Sequence, residues 1–215
     1  TLFAPDNMRE HLFALYAFDA EIRRIPYLVS EPQIGEIRLQ WWSDSLDAIY
    51  ADAKVDHPIA AALGEAIKIG HLPKQPLQNL VEAHSRDLYA DAMPSVNDLE
   101  GYLGETNSAI IQMAAQILLE GKGQGLGNAA GLLGVAQGIT ELLVQQPNLP
   151  HGGKHLLPAD ISALITHAEN RMSEAQHFIS AVQNAARPAF LPGATVLAQL
   201  RKLKAKGPGH DISPL

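Results

Sequence analysis

The chain has 215 residues, 16 Lys+Arg against 23 Asp+Glu for a net charge of −7, and no cysteine. The acidic balance argues against a general nucleic-acid binder, and the lack of cysteine excludes disulfides, thiolate catalysis and Cys-ligated metal. With 47% hydrophobic and 18% charged residues, the sequence is too apolar to be disordered and fits one ordinary domain over residues 1–215. Its longest apolar stretch, 109–119, is broken by Gln112 and Gln116 and falls far short of the ~20 residues of a spanning helix. A soluble protein, or one lying on a membrane, is expected. The chain starts at Thr1, so a processed or missing N-terminus is expected, and Asp6, Arg9 and Glu10 interrupt any secretory signal.

Helical periodicity runs through nearly every segment, and none sustains strand alternation. Residues 6–25 open after Pro5 with Asp6, carry Leu12, Leu15, Tyr16 and Ile22 as a stripe, and are predicted to stop at Pro26. A second helix is predicted over 33–51, with Ile34, Ile37, Trp41, Leu46 and Ile49 apolar. Trp41 and Trp42 read as large core side chains. Helices follow at 57–69, at 75–91 and at 95–120, the last opening with a near capping box at Ser95 to Asp98. The glycines of 121–127 read as a helix-breaking loop, because they lack phosphate-loop spacing and follow a helix. Helices at 128–146, 162–186 and 190–205 complete an all-α bundle of about eight helices.

Metal chemistry has weak support. No HExxH occurs among the nine histidines, and Gly152 and Gly153 spoil a shared helical face for His151 and His155. His84 precedes Asp87 by one turn and reads as a satisfied or solvated histidine. Asp87 and Asp91, four apart on the predicted 75–91 helix, are the remaining weak metal candidates. Such a pair can hold Mg²⁺ and through it a diphosphate, or can be two solvated, mutually repelling carboxylates. Asp19 and Arg23 are four apart in the order that favours pairing. Gln137, Glu141 and Gln145 line one face of a later helix, so Glu141 is placed to meet Arg23 or Arg24 if the faces meet. At the C-terminus, Arg201, Lys202, Lys204 and Lys206 accompany Val196, Leu197, Leu200 and Leu203. That pattern suits a bundle-closing helix with cations at the negative end of its dipole, or a basic helix on an anionic membrane.

Several stretches, in order through about residues 3–160, resemble the squalene/phytoene synthase family, the head-to-head trans-isoprenyl diphosphate synthases. LFALYAF at 12–18 is similar to the first-motif helix, RLQWW at 38–42 to the "LxWW" helix, and DHPI at 56–59 to the "HP" helix start. Asp87-Leu88 and residues 102–108 resemble the middle helices, and 134–140 with HLLPAD at 155–160 the second motif and the loop after it. The resemblance implies an isoprenoid-synthase helical bundle around a central cavity, where two aspartate-rich motifs hold Mg²⁺ ions that grip diphosphates. Counted along this sequence, the first motif's paired aspartates fall on Arg23 and Arg24. The second motif's Arg-Asp falls on Val144 and Gln145, and its last aspartate near Leu149. Both motifs thus read as degenerate: Asp19, Arg23 and Arg24 in the first, and Gln137, Glu141 and Gln145 in the second. The family also carries more chain after Asp160, so residues are expected to be absent there.

One branch of the family, similar in EIRLQWW at 36–42, is associated with assembly of respiratory complex I. That likeness implies a non-catalytic assembly or scaffold role, with no cofactor and with proteins of a respiratory assembly as partners. It places the protein in the cytoplasm, peripheral to the inner membrane, or in the mitochondrial matrix of a eukaryote. The alternatives are a Mg²⁺-dependent prenyl transferase of terpenoid synthesis using Asp87 and Asp91, and a module that holds an isoprenoid lipid without turning it over.

Overall fold

The structure, a computed structural model, describes residues 2–89, 91–123, 125–145 and 157–208. Among them there is no strand. The helices are α1 (Asp6–Leu28), α2 (Pro32–Tyr50), α3 (Pro58–Gly70), α4 (Lys74–Ala83), α5 (Val96–Leu103), α6 (Ala109–Leu118), α7 (Gly127–Gln145), α8 (Ile161–Ser180) and α9 (Val196–Lys206). The starts follow from local chemistry. Ser95 Oγ accepts from the Asp98 amide at 3.2 Å and Asp160 Oδ1 from the Ala163 amide at 2.9 Å, each satisfying one orphan N–H of a first turn. His57 Nδ1 caps α3 from the Ala60 amide at 3.4 Å, and Pro32 and Pro58 occupy first-turn positions where no N–H is needed.

The all-α fold agrees with the sequence, and several boundaries do not. Pro26 lies inside α1, which continues to Leu28. So close to the helix end, the missing amide removes one terminal hydrogen bond rather than breaking the ladder. The predicted 75–91 helix ends at Ala83 and tightens into a 3₁₀ stretch, His84–Leu88. The predicted 95–120 helix is split between α5 and α6 by a π-helical stretch, Gly104–Ser108. At the C-terminal end α8 stops at Ser180, and a 3₁₀ stretch, Asn184–Thr195, precedes α9. The apolar face of α9 (Val196, Leu200, Leu203) is buried in the bundle. The bundle-closing reading therefore holds, and that face is not available to a bilayer. On α2 the buried residues are Gly35, Leu39, Trp42, Ser45 and Leu46. Trp41 is a correction to the core assignment, being 42% exposed.

Leu12, Leu15, Phe18 and Ile22 of α1 are fully buried and seat that helix against α3 and α6, while α7 packs on α8 and on the π stretch. The closest backbone approach is at Gly134 of α7. A Cβ added there would sit 2.4 Å from both the Cα and the amide N of Ser108, and Ser108 Oγ donates to the Gly131 carbonyl at 3.0 Å. Backbone on the far side cannot rotate away as a side chain could. Gly134→Ala should therefore destabilise by about 1–3 kcal/mol as an overpacking change. Gly131→Ala, with nothing within 4 Å of the new methyl, should stabilise by about 0.5–1 kcal/mol. Urea unfolding of the two variants checks the opposite signs.

Candidate functional site

The buried stripe of α1 fixes its rotation, so Asp19 and Arg23, one turn apart, face α7. The charge pair forms: Arg23 Nε donates to Asp19 Oδ2 at 2.8 Å. From α7, Glu141 Oε2 lies 3.7 Å from an Arg23 nitrogen, and Gln137 Nε2 donates to Glu141 Oε1 at 2.7 Å. Asn107 joins the two helices. Its Oδ1 accepts from Arg23 at 3.2 Å and its Nδ2 donates to Glu141 Oε2 at 3.0 Å.

Asn107 is there because of the π stretch. One extra residue per turn re-aims side chains, which is why such bulges recur at functional sites. Here Thr106, Asn107 and Ser108 are all buried, with Thr106 Oγ1 donating back to the Tyr102 carbonyl at 2.8 Å. The sequence reading missed Asn107. The available signal was the run of four polar residues, Glu105 to Ser108, inside an otherwise apolar helical pattern.

Electrostatics hold the arrangement charged. Burial alone would lower the Arg23 pKa, but Asp19 and Glu141 outweigh it and raise it. Burial, helped by Asp19, pushes the Tyr16 phenol up to about 12, and burial with Asp87 raises Tyr102 well above its usual value. Both phenols stay neutral, and Tyr102 hydrogen-bonds to Asp87. Arg23 and Gln145 line two cavities at once, so the network forms the wall between them. One, about 260 Å³, is bounded by Tyr16, Asp19, Gln137 and Ile110. The other, about 250 Å³, is bounded by Tyr27, Met93, Tyr102 and Leu142. Asp19 Oδ1 and Gln137 Oε1 are buried without a protein partner.

Other predicted site residues are placed differently. Arg24 does not reach the cavity. It pairs with Glu21 at 3.1 Å and lines an outer groove with Trp41 and His57. Gln145 lines the cavities without hydrogen-bonding to the network. Asp87 and Asp91 do not share a helical face, because the chain there is 3₁₀ and then irregular. Asp87 instead accepts from the Tyr102 hydroxyl at 2.9 Å and contacts His84 Nδ1 at 2.5 Å. His84 is buried, and its Nε2 has no partner. His151, His155 and Leu149 lie outside the described residues.

The donor set does not suit the Mg²⁺ ions that the fold implies. Of the carboxylates that line the two cavities, Asp19 and Glu141 already accept from N–H donors with a guanidinium between them, and Asp87, which shares the other cavity with Asp91 and Arg23, accepts from the Tyr102 hydroxyl. Among the described residues no group of three or more acidic or histidine side chains could hold a metal.

The sequence profile of squalene/phytoene synthase matches residues 1–164. The chain is 33% identical over 164 residues to NADH dehydrogenase (ubiquinone) complex I, assembly factor 6 of Homo sapiens, covering 76% of this chain and 49% of that protein. It is 31% identical over 176 residues to the Drosophila melanogaster homolog of that factor, covering 78% and 51%. The chain thus spans about half the length of these relatives. The crystal structure of squalene synthase HpnC from Alicyclobacillus acidocaldarius superposes with a TM-score of 0.81 at 18% identity, covering 96% of this chain and 86% of that one, which shows a shared fold.

The network makes a stability prediction. Arg23→Ala leaves Asp19 and Glu141 facing each other without their cation. Full burial would give a loss of 3–5 kcal/mol. With the Arg23 side chain 33% exposed, water screens part of this, and a loss of about 1–3 kcal/mol is expected. A double-mutant cycle with Asp19→Asn should return a coupling above about 0.5 kcal/mol. A change within the range of an exposed pair would show that the network does not brace the fold.

Proposed function

The chain belongs to the squalene/phytoene synthase family, and on that premise we propose that it uses the family's bundle as a non-catalytic assembly protein for respiratory complex I. The carrying observation is Arg23, hydrogen-bonded to Asp19 and Asn107 and 3.7 Å from Glu141. Ionising a diphosphate requires a divalent ion that bridges carboxylates to phosphate oxygens. A guanidinium tied to the same carboxylates offers positive charge but no coordination sphere, and it repels the ion.

The cavities support the same reading. At about 250 and 260 Å³, each is below the roughly 300–1,000 Å³ of ordinary small-molecule sites, and the Arg23 wall keeps them apart. What remains is a braced bundle whose outer surfaces are free to bind. The names of the relatives supply the partner class, components of complex I during assembly. The site of action on this reading is the inner membrane, from the matrix side in a eukaryote or the cytoplasmic side in a bacterium. No described helix is long and apolar enough to cross a membrane.

Two measurements test this. Millimolar Mg²⁺ with farnesyl diphosphate should leave the melting temperature unchanged and release no inorganic diphosphate. A ligand at a hundredfold its dissociation constant would add about 2.7 kcal/mol. Deleting the gene should lower the amount of assembled complex I, and the intact gene should restore it. A Mg²⁺-dependent rise in melting temperature that disappears in Asp87→Ala, together with product formation, would make the protein a prenyl transferase instead.

A further inference from the structure

On α2 the apolar stripe read from the sequence is buried only at its C-terminal end, where Leu46 is in the core and Ile49 packs against it. Leu39, Trp42 and Leu46 face the core. Ile34, Ile37 and Trp41, spaced i, i+3, i+7, are 45%, 70% and 42% exposed. They form a ridge along the outside of the helix, and Leu28 at the end of α1 borders the same outer groove as Trp41. Single exposed apolar residues are ordinary, but a contiguous set marks an interaction site.

Beside the ridge, α2 and α4 border a groove of about 820 Å³. Ile37, Leu39 and Val81 are its apolar lining, and its charged residues are Glu36 and Glu82, with no Lys or Arg. Glu82 makes no ion pair or hydrogen bond among the described residues, and Glu36 accepts from the Tyr89 hydroxyl alone. Gln40, Gln75 and Gln78 spend amide N–H groups on Asp44, Asn79 and Asp47, while their carbonyl oxygens accept nothing from the described residues. The groove is therefore anionic and rich in acceptors.

We propose that this ridge and groove dock a basic amphipathic helix of a partner polypeptide. Its apolar face would lie on Ile34, Ile37 and Trp41, and its Lys or Arg edge on Glu36 and Glu82. Charge complementarity selects that occupant. An anionic bilayer over the groove would meet two carboxylates, Arg24 and Arg38 standing on the opposite, Trp41 side of the ridge. A second copy of this chain offers its cation-rich helix, α9, with the apolar face already buried. From Gln33 to Ser43 the groove runs about 15 Å at 1.5 Å per residue, room for roughly three turns of a partner helix. The inference rests on the assembly reading only in taking the partner to be a protein. The groove shares no lining residue with the cavities at Arg23.

Two synthetic helical peptides without tryptophan test it, sharing one leucine face, one edged with Lys and the other with Glu. Trp41 is the reporter, since Trp42 is buried. The Lys-edged peptide should bind the full chain saturably and shift Trp41 emission to the blue. It should bind at least about tenfold more tightly than the Glu-edged one, with the gap closing in high salt. Ile37→Asp and Glu82→Lys should each weaken binding by about tenfold or more. Both sites are exposed, so unchanged melting curves will show that the fold is kept.

Equal binding of both peptides, no saturable binding, or indifference to both variants overturns the proposal. So does a dimer in sedimentation that Ile37→Asp dissolves, which would make a second copy the occupant. Flotation with anionic vesicles that Ile37→Asp abolishes would make it a membrane. If the peptide binds as stated but gene deletion leaves complex I unchanged, the assembly reading fails and the docking surface stands. If deletion lowers complex I and Ile37→Asp restores it as well as the parent gene does, the docking surface fails and the assembly reading stands.

Discussion

A guanidinium held by carboxylates from two different helices is the constraint on which the interior depends. Arg23 cannot leave water unless its charge is matched, and neither Asp19 nor Glu141 alone matches its several N–H donors. Asp19 comes with the same helix, one turn away. Glu141 must be delivered by α7, and Asn107 must fill the remaining gap because it can accept from Arg23 and donate to Glu141 at once. The relative placement of α1, α7 and the segment between α5 and α6 is therefore specified by hydrogen-bond geometry as well as by apolar packing.

That delivery has a backbone requirement. Asn107 reaches both partners only if the π stretch lies close against α7, and the closeness is allowed by glycine. Gly134 leaves room for the Ser108 backbone, and at Gly138, one turn on, an added Cβ would meet the Leu103 side chain. Glu141 follows on the next turn. A run of small residues on one face of α7 thus sets how deeply the polar group three residues farther along can enter the network. The bulge and the glycines are two halves of one device: one turns the polar residues inward, and the other makes space for them.

Much of this was legible in the sequence, and what was not has physical causes. The helices were visible because burial of one face imposes a 3.6-residue period. The Asp19–Arg23 pair was visible because i,i+4 neighbours are fixed by the helix itself. Glu141 reaching Arg23 followed from assuming that two faces meet. Which of Arg23 and Arg24 Glu141 would meet stayed open, since adjacent residues differ by 100° of rotation and the packing of α1 against its neighbours sets the final phase. Asp87 and Asp91 looked paired because the helical period was carried past Ala83, whereas His84 and Asp87 close a tighter turn. On α2 the larger apolar residues misled. The buried face holds Gly35 and Ser45 beside Leu39, Trp42 and Leu46, so counting side-chain size finds Trp42 and Leu46 but puts Ile34, Ile37 and Trp41 on the wrong side.

The misread stripe also separates stability from recognition. A helix needs one apolar face to join a core, and Leu39, Trp42 and Leu46 already provide it. Ile34 and Ile37 add nothing that the core requires, Trp41 touches it through ring contacts with Trp42 and His57, and their exposed surface favours any contact that covers it. Inside, Arg23, Asp19, Asn107, Gln137 and Glu141 bond to one another between two small cavities. Outside, the protein leaves apolar side chains and carboxylates open on adjacent faces. Arg23 thus organises the polar interior through α1 and α7, while the exposed ridge on α2 is held by none of those contacts, so each can be altered without the other.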